Sequence, residues 1–389
     1  MDITIQPRHL CGSIAAIPSK SMAHRLLICA AFSDEYTELI CPETSEDIET
    51  TAIALRQLCH FVGRTDYGYE ICPYEYDGAV APDSLWINCH ESGSTLRFLL
   101  PIVGALGIDT IFEMEGRLPQ RPLSPLWEEM ERMGCTLSRP AASLIQCTGR
   151  LRPGAYRIDG SVSSQFISGL MMALPLIDGK TSLEITGNIE SKPYIEMTRQ
   201  VIERFKEDRP DQIEVEGDWS NAAFWLAANT LGSTVTVTGL EDHSPQGDKA
   251  ITQLLPKLHD KTTISAADIP DLIPILSVVA AANKGAVFTD IRRLRLKESD
   301  RVASVIAMLE SLGGKAEATE NTLTVFGTGL VGGSVDSFGD HRIAMSAAIA
   351  ATVCTKPVTI IGAECVKKSH PGFWEDYSRL GGNYGEYLR

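Results

Sequence analysis

Six stretches of the chain share one arrangement of polar and apolar positions, in which a short polar loop runs into a run of small, nearly all-apolar residues. Pro18-Ser-Lys-Ser-Met-Ala-His-Arg25 leads into 26–32, and Glu91-Ser-Gly-Ser-Thr-Leu-Arg97 leads into 98–106. Ser161-Val-Ser-Ser-Gln-Phe166 leads into 167–176, and Gly217-Asp-Trp-Ser-Asn221 into 222–231. Asp268-Ile-Pro-Asp271 leads into 272–282, and Phe338-Gly-Asp-His-Arg342 into 343–353. A helix that is apolar all round is a buried helix. The pattern therefore predicts six core helices with polar N-termini, three in each half, as repeated units whose positive ends converge.

Between these runs the period shortens. Residues 2–6 alternate as a strand, and Cys11-Gly-Ser begins a second. Residues 38–41, 84–89 and 212–216 are strand-like, whereas 44–58 has helical spacing through Ile48, Ala52, Leu55 and Leu58, with Ser45 or Asp47 as its cap. Two windows of equal length, 130–151 and 309–330, each end a helix and continue as two short strands. They carry Glu, Gly, Leu and Leu in register at 131/310, 134/313, 144/323 and 151/330. Residues 54–74 read as a third, degraded copy. The unit is strand, buried helix, strand, surface helix, two strands, which makes the chain α/β (α+β) in class. The change between halves falls near Gly217-Asp218, and the strands before Lys20 can join the second half. That predicts domains 19–218 and 1–18 plus 219–389, with two chain crossings acting as a hinge. Residues 207–211 read as an exposed turn.

At 389 residues the chain can bury two cores. Its net charge of −15 argues against a nucleic-acid or anionic-membrane partner, so cations for an anionic substrate must be gathered locally. The ten Cys are scattered without zinc-like spacing, which predicts reduced core residues of a cytoplasmic protein and no structural metal. The N-terminus lacks a signal-peptide pattern, and no apolar run has the length of a membrane span.

The polar loops carry the chemistry. A helix N-terminus offers unpaired N–H groups and partial positive charge, and Lys20, Ser21 and Arg25 add to it. The ordinary reading of such a loop is a Ser cap beside surface cations, but its recurrence favours anion binding. Arg117-Leu-Pro-Gln-Arg-Pro122 holds two Arg on a stiff loop suited to bidentate capture of an anion. The densest cluster runs from Arg292 to Arg301, and its bland reading is a basic strand edge followed by a capped surface helix over 299–312. Asp340-His-Arg342 and Lys367-Lys368 complete the set. The candidate acids and bases are Asp271 and Glu298, with Lys20 and His341 also possible. Asp271 can equally be a helix cap. Ser163-Ser-Gln165 offers two hydroxyls where one suffices for capping.

Pro18 to Arg25, Ser92-Gly-Ser-Thr-Leu-Arg97, Leu118-Pro-Gln-Arg-Pro122, Ser163-Ser-Gln165, Ser191-Lys-Pro-Tyr194, Lys297-Glu-Ser-Asp-Arg301, Asp340-His-Arg342 and Lys368 stand in an order that resembles the 5-enolpyruvylshikimate-3-phosphate synthase family over nearly the whole chain. The resemblance implies the enolpyruvyl-transferase fold, with two domains of three βαβαββ units closing over a cleft. It implies that Lys20, Gly93, Arg121, Gln165, Arg301, Arg342 and Lys368 bind phosphoenolpyruvate. It also implies that Lys20, Ser21, Arg25, Ser163, Ser164, Gln165, Ser191, Tyr194, Asp271 and Lys297 bind shikimate 3-phosphate. Lys20, Asp271 and Glu298 would be catalytic, and Gly93 would admit the substrate close to the backbone. No metal or organic cofactor is implied. The chain would act as a monomer on these two small molecules, and glyphosate would compete at the phosphoenolpyruvate site.

Two positions depart from the family pattern. Glu91 and Arg293 both stand where many relatives carry Asn, and Arg293 or Arg295 either replaces the lost contact or faces solvent. The sister enzyme acting on UDP-N-acetylglucosamine presents a reactive Cys on a first-half loop, and the stretch 117–122 has none. A non-catalytic anion binder on the same fold is the other rival.

Overall fold

One copy of the repeat is complete and contiguous between residues 84 and 149. Strand Ser84–Asn88 pairs in parallel with Asp109–Glu113, which pairs antiparallel with Leu144–Gly149, itself paired with Cys135–Ser138. Helix Gly93–Leu106 joins the first two strands, and helix Leu126–Arg132 leads into the hairpin. The same order recurs from Thr262–Ser265 through helix Ile273–Ala282, strand Gly285–Thr289 and helix Arg301–Ser311 to the hairpin Lys315–Ala318 and Thr322–Phe326. The registered windows thus are helix ends followed by hairpins. Gly134 (φ +121°) and Gly313 (φ +84°) make the left-handed turn that a side chain disfavours. The third window gives the hairpin Phe61–Arg64 and Gly68–Cys72.

The computed structural model describes residues 1–73, 84–208 and 211–387, so Tyr74 and part of the turn expected at 207–211 lie outside the described residues. The chain divides into two units, Lys20–Val215, and Met1–Ser19 with Glu216–Arg389. The expected limit at 218 runs past the second crossing. Pro18 and Gly217 form an antiparallel bridge, with Ser19 N–H donating to the Glu216 carbonyl and Asp218 N–H to that of Ile17, each at 2.8 Å. This pairing keeps 216–218 with the N-terminal strand.

Within Lys20–Val215, a second four-stranded sheet takes its first strand from the far end of the unit. Gln212–Glu214 lies parallel to Thr37–Ile40, beside helices Lys20–Ala31 and Glu46–Leu55. The third sheet has two strands, Gly154–Asp159 and Thr181–Thr186, with helices Ser164–Ala173 and Lys192–Glu207. The other unit repeats this plan. Asp2–Gln6 fills a place in the sheet of Gly333–Asp336, Val358–Ile361 and Asn383–Tyr387, and Cys11–Ala15 pairs in parallel with Thr234–Thr238. The expectation of three full βαβαββ copies per domain is therefore corrected. Among the described residues one copy in each unit lacks the hairpin, because the chain leaves its surface helix to serve a neighbouring sheet.

All six apolar runs are helices, including Trp219–Thr230 and His341–Ala350. In Ile273–Ala282 every residue except Ala282 is buried, and full burial of a Leu or Ile contributes about 1.5–3 kcal/mol. Small residues let these helices touch. A Cβ on Gly169 would lie 2.3 Å from the Arg97 carbonyl oxygen of the neighbouring helix. Each unit has its own apolar core, one around Leu272, Phe288 and Ile343 and one around Leu27, Leu99 and Phe166. No described helix is long and apolar enough to cross a membrane.

Candidate active site

In the unit built from Met1–Ser19 and Glu216–Arg389, the site forms around Arg301. Asp300 caps helix Arg301–Ser311, its Oδ1 accepting from the Val302 and Ala303 N–H groups at 3.1 Å. Capping by Asp300 replaces the expected start at Ser299, whose hydroxyl instead donates to Asp340 Oδ2 at 2.9 Å. Arg301 is only 1% exposed and uses all three nitrogens on carboxylates. Nε donates to Asp340 Oδ2 (2.9 Å), Nη1 to Asp271 Oδ1 (2.5 Å) and Nη2 to Glu298 Oε2 (2.6 Å). Burial alone would discharge it, but Asp340, Glu298 and Asp271 hold its pKa well above the ordinary value.

Asp271 is not a cap. Helix Ile273–Ala282 is preceded by Leu272 and has no side-chain cap. The carboxylate is spent on cations: Arg301, Arg342 Nη2 at 3.1 Å and Lys297 at 3.4 Å. Burial pushes its pKa up, yet Arg342, Lys297 and Arg301 together hold it well below the usual carboxylate range. The same setting pushes Lys297 down to about 8, through burial, with Asp271 opposing and Arg301 reinforcing. Asp340 caps helix His341–Ala350 through Oδ1, which accepts from Arg342 N–H at 3.0 Å, while Oδ2 holds Arg301 and Ser299. His341 is buried at the first position of that helix. Lys368 donates to the Gly339 carbonyl at 3.1 Å, beside Asp340 in sequence. Residues Arg292–Leu296 form a 3-10 helix rather than the strand edge expected there.

In the unit Lys20–Val215, Lys20 opens its helix and pairs with Asp47 Oδ2 at 2.8 Å. Ser45, not Asp47, caps the neighbouring helix. Arg25 is buried, donating to Thr198 Oγ1 (2.7 Å) and to the Ser21 and Tyr194 carbonyls (2.6 and 3.0 Å), over the Phe98 and Tyr194 rings. Burial lowers its pKa to about 10, above neutrality, so it stays a cation. Ser191 precedes helix Lys192–Glu207 with φ +55° and makes no capping hydrogen bond. Ser163 caps helix Ser164–Ala173, and Ser164 is buried at its first position. Gln165 accepts from Arg97 Nη1 and donates to Ser94 Oγ, both at 2.9 Å. A Cβ on Gly93 would lie 2.6 Å from Arg97 Nη1 and 2.8 Å from Arg121 Nη1. Two guanidiniums therefore face the start of the helix that Ser92 caps, at a position with no side chain, an arrangement suited to a carboxylate or phosphate.

The structure thus brings Asp271, Lys297, Glu298, Arg301 and Arg342 into one network, and Gly93, Arg121 and Gln165 into another. Arg97, Ser94, Asp47, Thr198, Asp340 and Asp248 also belong to these surroundings but were absent from the expected site set. Arg97 had a legible signal, a charge at the end of a polar loop, directly before the apolar run 98–106. Asp248 had none. It is buried, accepts a hydrogen bond from Ser220, and is pushed up to about 6 by burial and by Asp271, against Arg342. Of the departures, Glu91 lies against Gly116, where a Cβ would meet its Oε1 at 1.6 Å. Arg293 is buried and helps depress Lys297. Arg295 is spent on Asp300 and the Thr319 carbonyl. All ten Cys are free thiols, but Cys11 is exposed and Cys29, Cys72 and Cys365 are only half-buried, so the expected core role holds for the other six.

A family model described as EPSP synthase (3-phosphoshikimate 1-carboxyvinyltransferase) matches residues 5–377. A 3-phosphoshikimate 1-carboxyvinyltransferase of Clostridium kluyveri is 36% identical over 422 aligned residues, covering 99% of this chain and 98% of that protein. One from Clostridium perfringens strain 13 is 37% identical over 420, covering 98% of each. Among solved structures, an EPSP synthase from Acinetobacter baumannii superposes with a TM-score of 0.79 at 22% identity, over 99% of this chain and 100% of that one. The enolpyruvyl transferase NikO from Streptomyces tendae gives 0.74 at 16% identity, over 100% and 99%. The two structures share the fold.

Proposed function

The chain belongs to the EPSP synthase family, and on that premise we propose how its residues divide the work of moving the enolpyruvyl group of phosphoenolpyruvate to shikimate 3-phosphate. The acceptor is the 5-hydroxyl. Its oxygen adds to the carbon bearing the phosphate while a proton goes to the methylene carbon. Loss of that proton then expels inorganic phosphate and restores the double bond.

Lys20, Arg121, Arg301, Arg342 and Lys368 hold phosphoenolpyruvate, with Gln165 assisting and Gly93 leaving room at the backbone. Ser21, Arg25, Ser163, Ser164, Ser191, Tyr194 and Lys297 hold shikimate 3-phosphate, with Lys20 and Gln165 in reach of both. Asp271 orients the acceptor hydroxyls and takes the proton from the attacking one. Glu298 and Lys20 move the proton at the methylene carbon.

The observation that carries this reading is Asp271 itself, a half-buried carboxylate released from helix capping and held by Arg301, Arg342 and Lys297. With all three cations on it, Asp271 is a weak base. When substrate anions draw Arg342 and Lys297 away, its basicity rises, so the base is armed only with ligand present. Two polyanionic substrates need Lys and Arg gathered locally in a chain whose net charge is −15. The chain acts as a monomer in the cytoplasm, without metal or organic cofactor, and glyphosate competes with phosphoenolpyruvate.

The test is phosphate release on mixing the protein with phosphoenolpyruvate and shikimate 3-phosphate, with UDP-N-acetylglucosamine as a parallel acceptor. Release with shikimate 3-phosphate alone is expected. Release only with the sugar nucleotide moves the assignment to the sister enzyme, and binding without release in both makes the chain an anion binder.

A further inference from the structure

Behind Lys20 and Gly93 runs a row of four polar side chains that no part of the reaction uses. His24 Nδ1 lies 2.8 Å from Thr51 Oγ1, Thr51 Oγ1 2.7 Å from Thr95 Oγ1, and Thr95 Oγ1 2.8 Å from Ser92 Oγ. All four are buried, with His24, Thr51 and Thr95 at 0% exposure. Residues four apart share a helix face. Lys20 and His24 therefore form one edge of a ladder and Asp47 and Thr51 the other, with rungs Lys20–Asp47 and His24–Thr51, both 2.8 Å. Thr51 extends the lower rung to a third helix, reaching Thr95 just after Gly93.

The direction of the chain follows from counting protons. Thr95 gives its hydroxyl proton to Ser92, whose oxygen also accepts the Thr95 N–H. Thr51 must then donate to Thr95, and having only one proton it can only accept from His24. His24 is thereby fixed as the tautomer with hydrogen on Nδ1. Its Nε2 has no hydrogen-bond partner among the described residues and is a bare lone pair, with the Phe98 ring edge-on at a centroid distance of 6.3 Å. Burial keeps the ring neutral, with a pKa lowered to about 3.

We propose that Thr51 is a positioning residue, clamping helices Lys20–Ala31, Glu46–Leu55 and Gly93–Leu106 to one another one turn below the Lys20–Asp47 rung so that the Lys20 ammonium and the Gly93 backbone are held in place for phosphoenolpyruvate. This rests on the assignment of Lys20 and Gly93 to that substrate. A methyl in place of the hydroxyl leaves the Nδ1–H and the Thr95 oxygen unsatisfied in the core, and the cheapest relief is for the helices to part.

Two measurements test it on the intact protein. Nitrogen-15 NMR of histidine-labelled protein, with His24 assigned by a His24→Asn variant, is expected to show the Nδ1–H tautomer at neutral pH. An Nε2–H ring overturns the clamp whatever the enzyme does. In steady-state kinetics, Thr51→Val is expected to raise KM for phosphoenolpyruvate, which draws on both Lys20 and Gly93, by about tenfold, to raise KM for shikimate 3-phosphate, which draws on Lys20 alone of the two, by clearly less, and to be rescued by Thr51→Ser. Equal changes in both KM values, or failure of Ser to rescue, refute positioning. Should the Val variant fail to fold, the tautomer and the Ser variant decide. Absence of turnover in the unaltered protein would strike the assigned reaction instead, leaving the tautomer to judge the clamp.

Discussion

Arg301 and Asp271, thirty residues apart in sequence, meet through a 2.5 Å hydrogen bond from Nη1 to Oδ1 at a point where the Arg side chain is 1% exposed. An arginine so buried survives as a cation only because Asp340 and Glu298 complete its partner set. Removing the fork should therefore be costly even where charge is kept. Arg301→Lys offers one ammonium to three carboxylates and is expected to destabilise the protein by about 3 kcal/mol or more, read by urea denaturation. A loss within experimental error would mean that the network relaxes freely.

Asp271→Asn keeps the shape and removes the carboxylate proposed to accept the proton. Turnover is expected to fall by about 10²–10⁴-fold with the fold intact by circular dichroism. Because the folded pKa of Asp271 is held below its unfolded value, its stabilising contribution is present at neutral pH and is lost only as pH falls below about 4. The variant should lose more stability relative to the parent at pH 7 than at pH 3, the difference narrowing as pH falls toward the folded pKa.

Lys297 supplies a pH signature. With a pKa near 8 it is mostly charged at pH 7 and mostly neutral at pH 9. If it binds the acceptor's anion, KM for shikimate 3-phosphate should rise by about tenfold between those values. Its contribution to stability moves the other way. A lysine whose folded pKa lies below its unfolded value makes folding more favourable as pH rises from about 8 to about 10.5. Lys297→Gln should abolish both trends, and a flat KM profile in the parent would remove Lys297 from acceptor binding.

Gly93→Ala puts a methyl within 3 Å of two guanidinium nitrogens, on Arg97 and Arg121. Both are ends of long side chains, so they can shift and the fold should survive. The expected result is a KM for phosphoenolpyruvate raised about tenfold and weaker competition by glyphosate, with thermal stability nearly unchanged. Unaltered values for both ligands would place phosphoenolpyruvate elsewhere.

Lys20→Met keeps the length and apolar stem of the side chain and leaves Asp47 without its 2.8 Å partner. Turnover is expected to fall by at least about 10²-fold while the helix remains, since its inner face is apolar. Near-parental turnover would exclude Lys20 from proton transfer.

Asp248 is the opposite case to Asp271. Its folded pKa is raised to about 6, so its favourable contribution is present below about pH 4 and is lost as pH rises through about 6. Above that, the buried charge costs up to about 3 kcal/mol. Asp248→Asn should raise the melting temperature at pH 8 and leave it unchanged at pH 4. A uniform loss at both would show that the Ser220 hydrogen bond outweighs the charge.

The six apolar helices, the hairpin windows at 130–151 and 309–330, and the polar starts at Lys20, Gly93, Ser163 and Arg342 were legible in the sequence alone. They are local features: periodicity, caps and breakers act over a few residues and leave their mark in order along the chain. The family resemblance followed from the same polar starts, whose residue types and order can be read along the chain without any tertiary contact. Tertiary structure decided what those starts hold. Asp271 read equally well as a cap or as a site carboxylate, and only the positions of Arg301 and Arg342, far along the chain, chose between them. Strand Asp2–Gln6 entering a sheet with Asn383–Tyr387, Gln212–Glu214 joining Thr37–Ile40, and Asp248 beside the Asp271 network have no local signature. Each depends on a contact between distant segments, whose energy exists only once the chain has closed the intervening loop and excluded water from both partners.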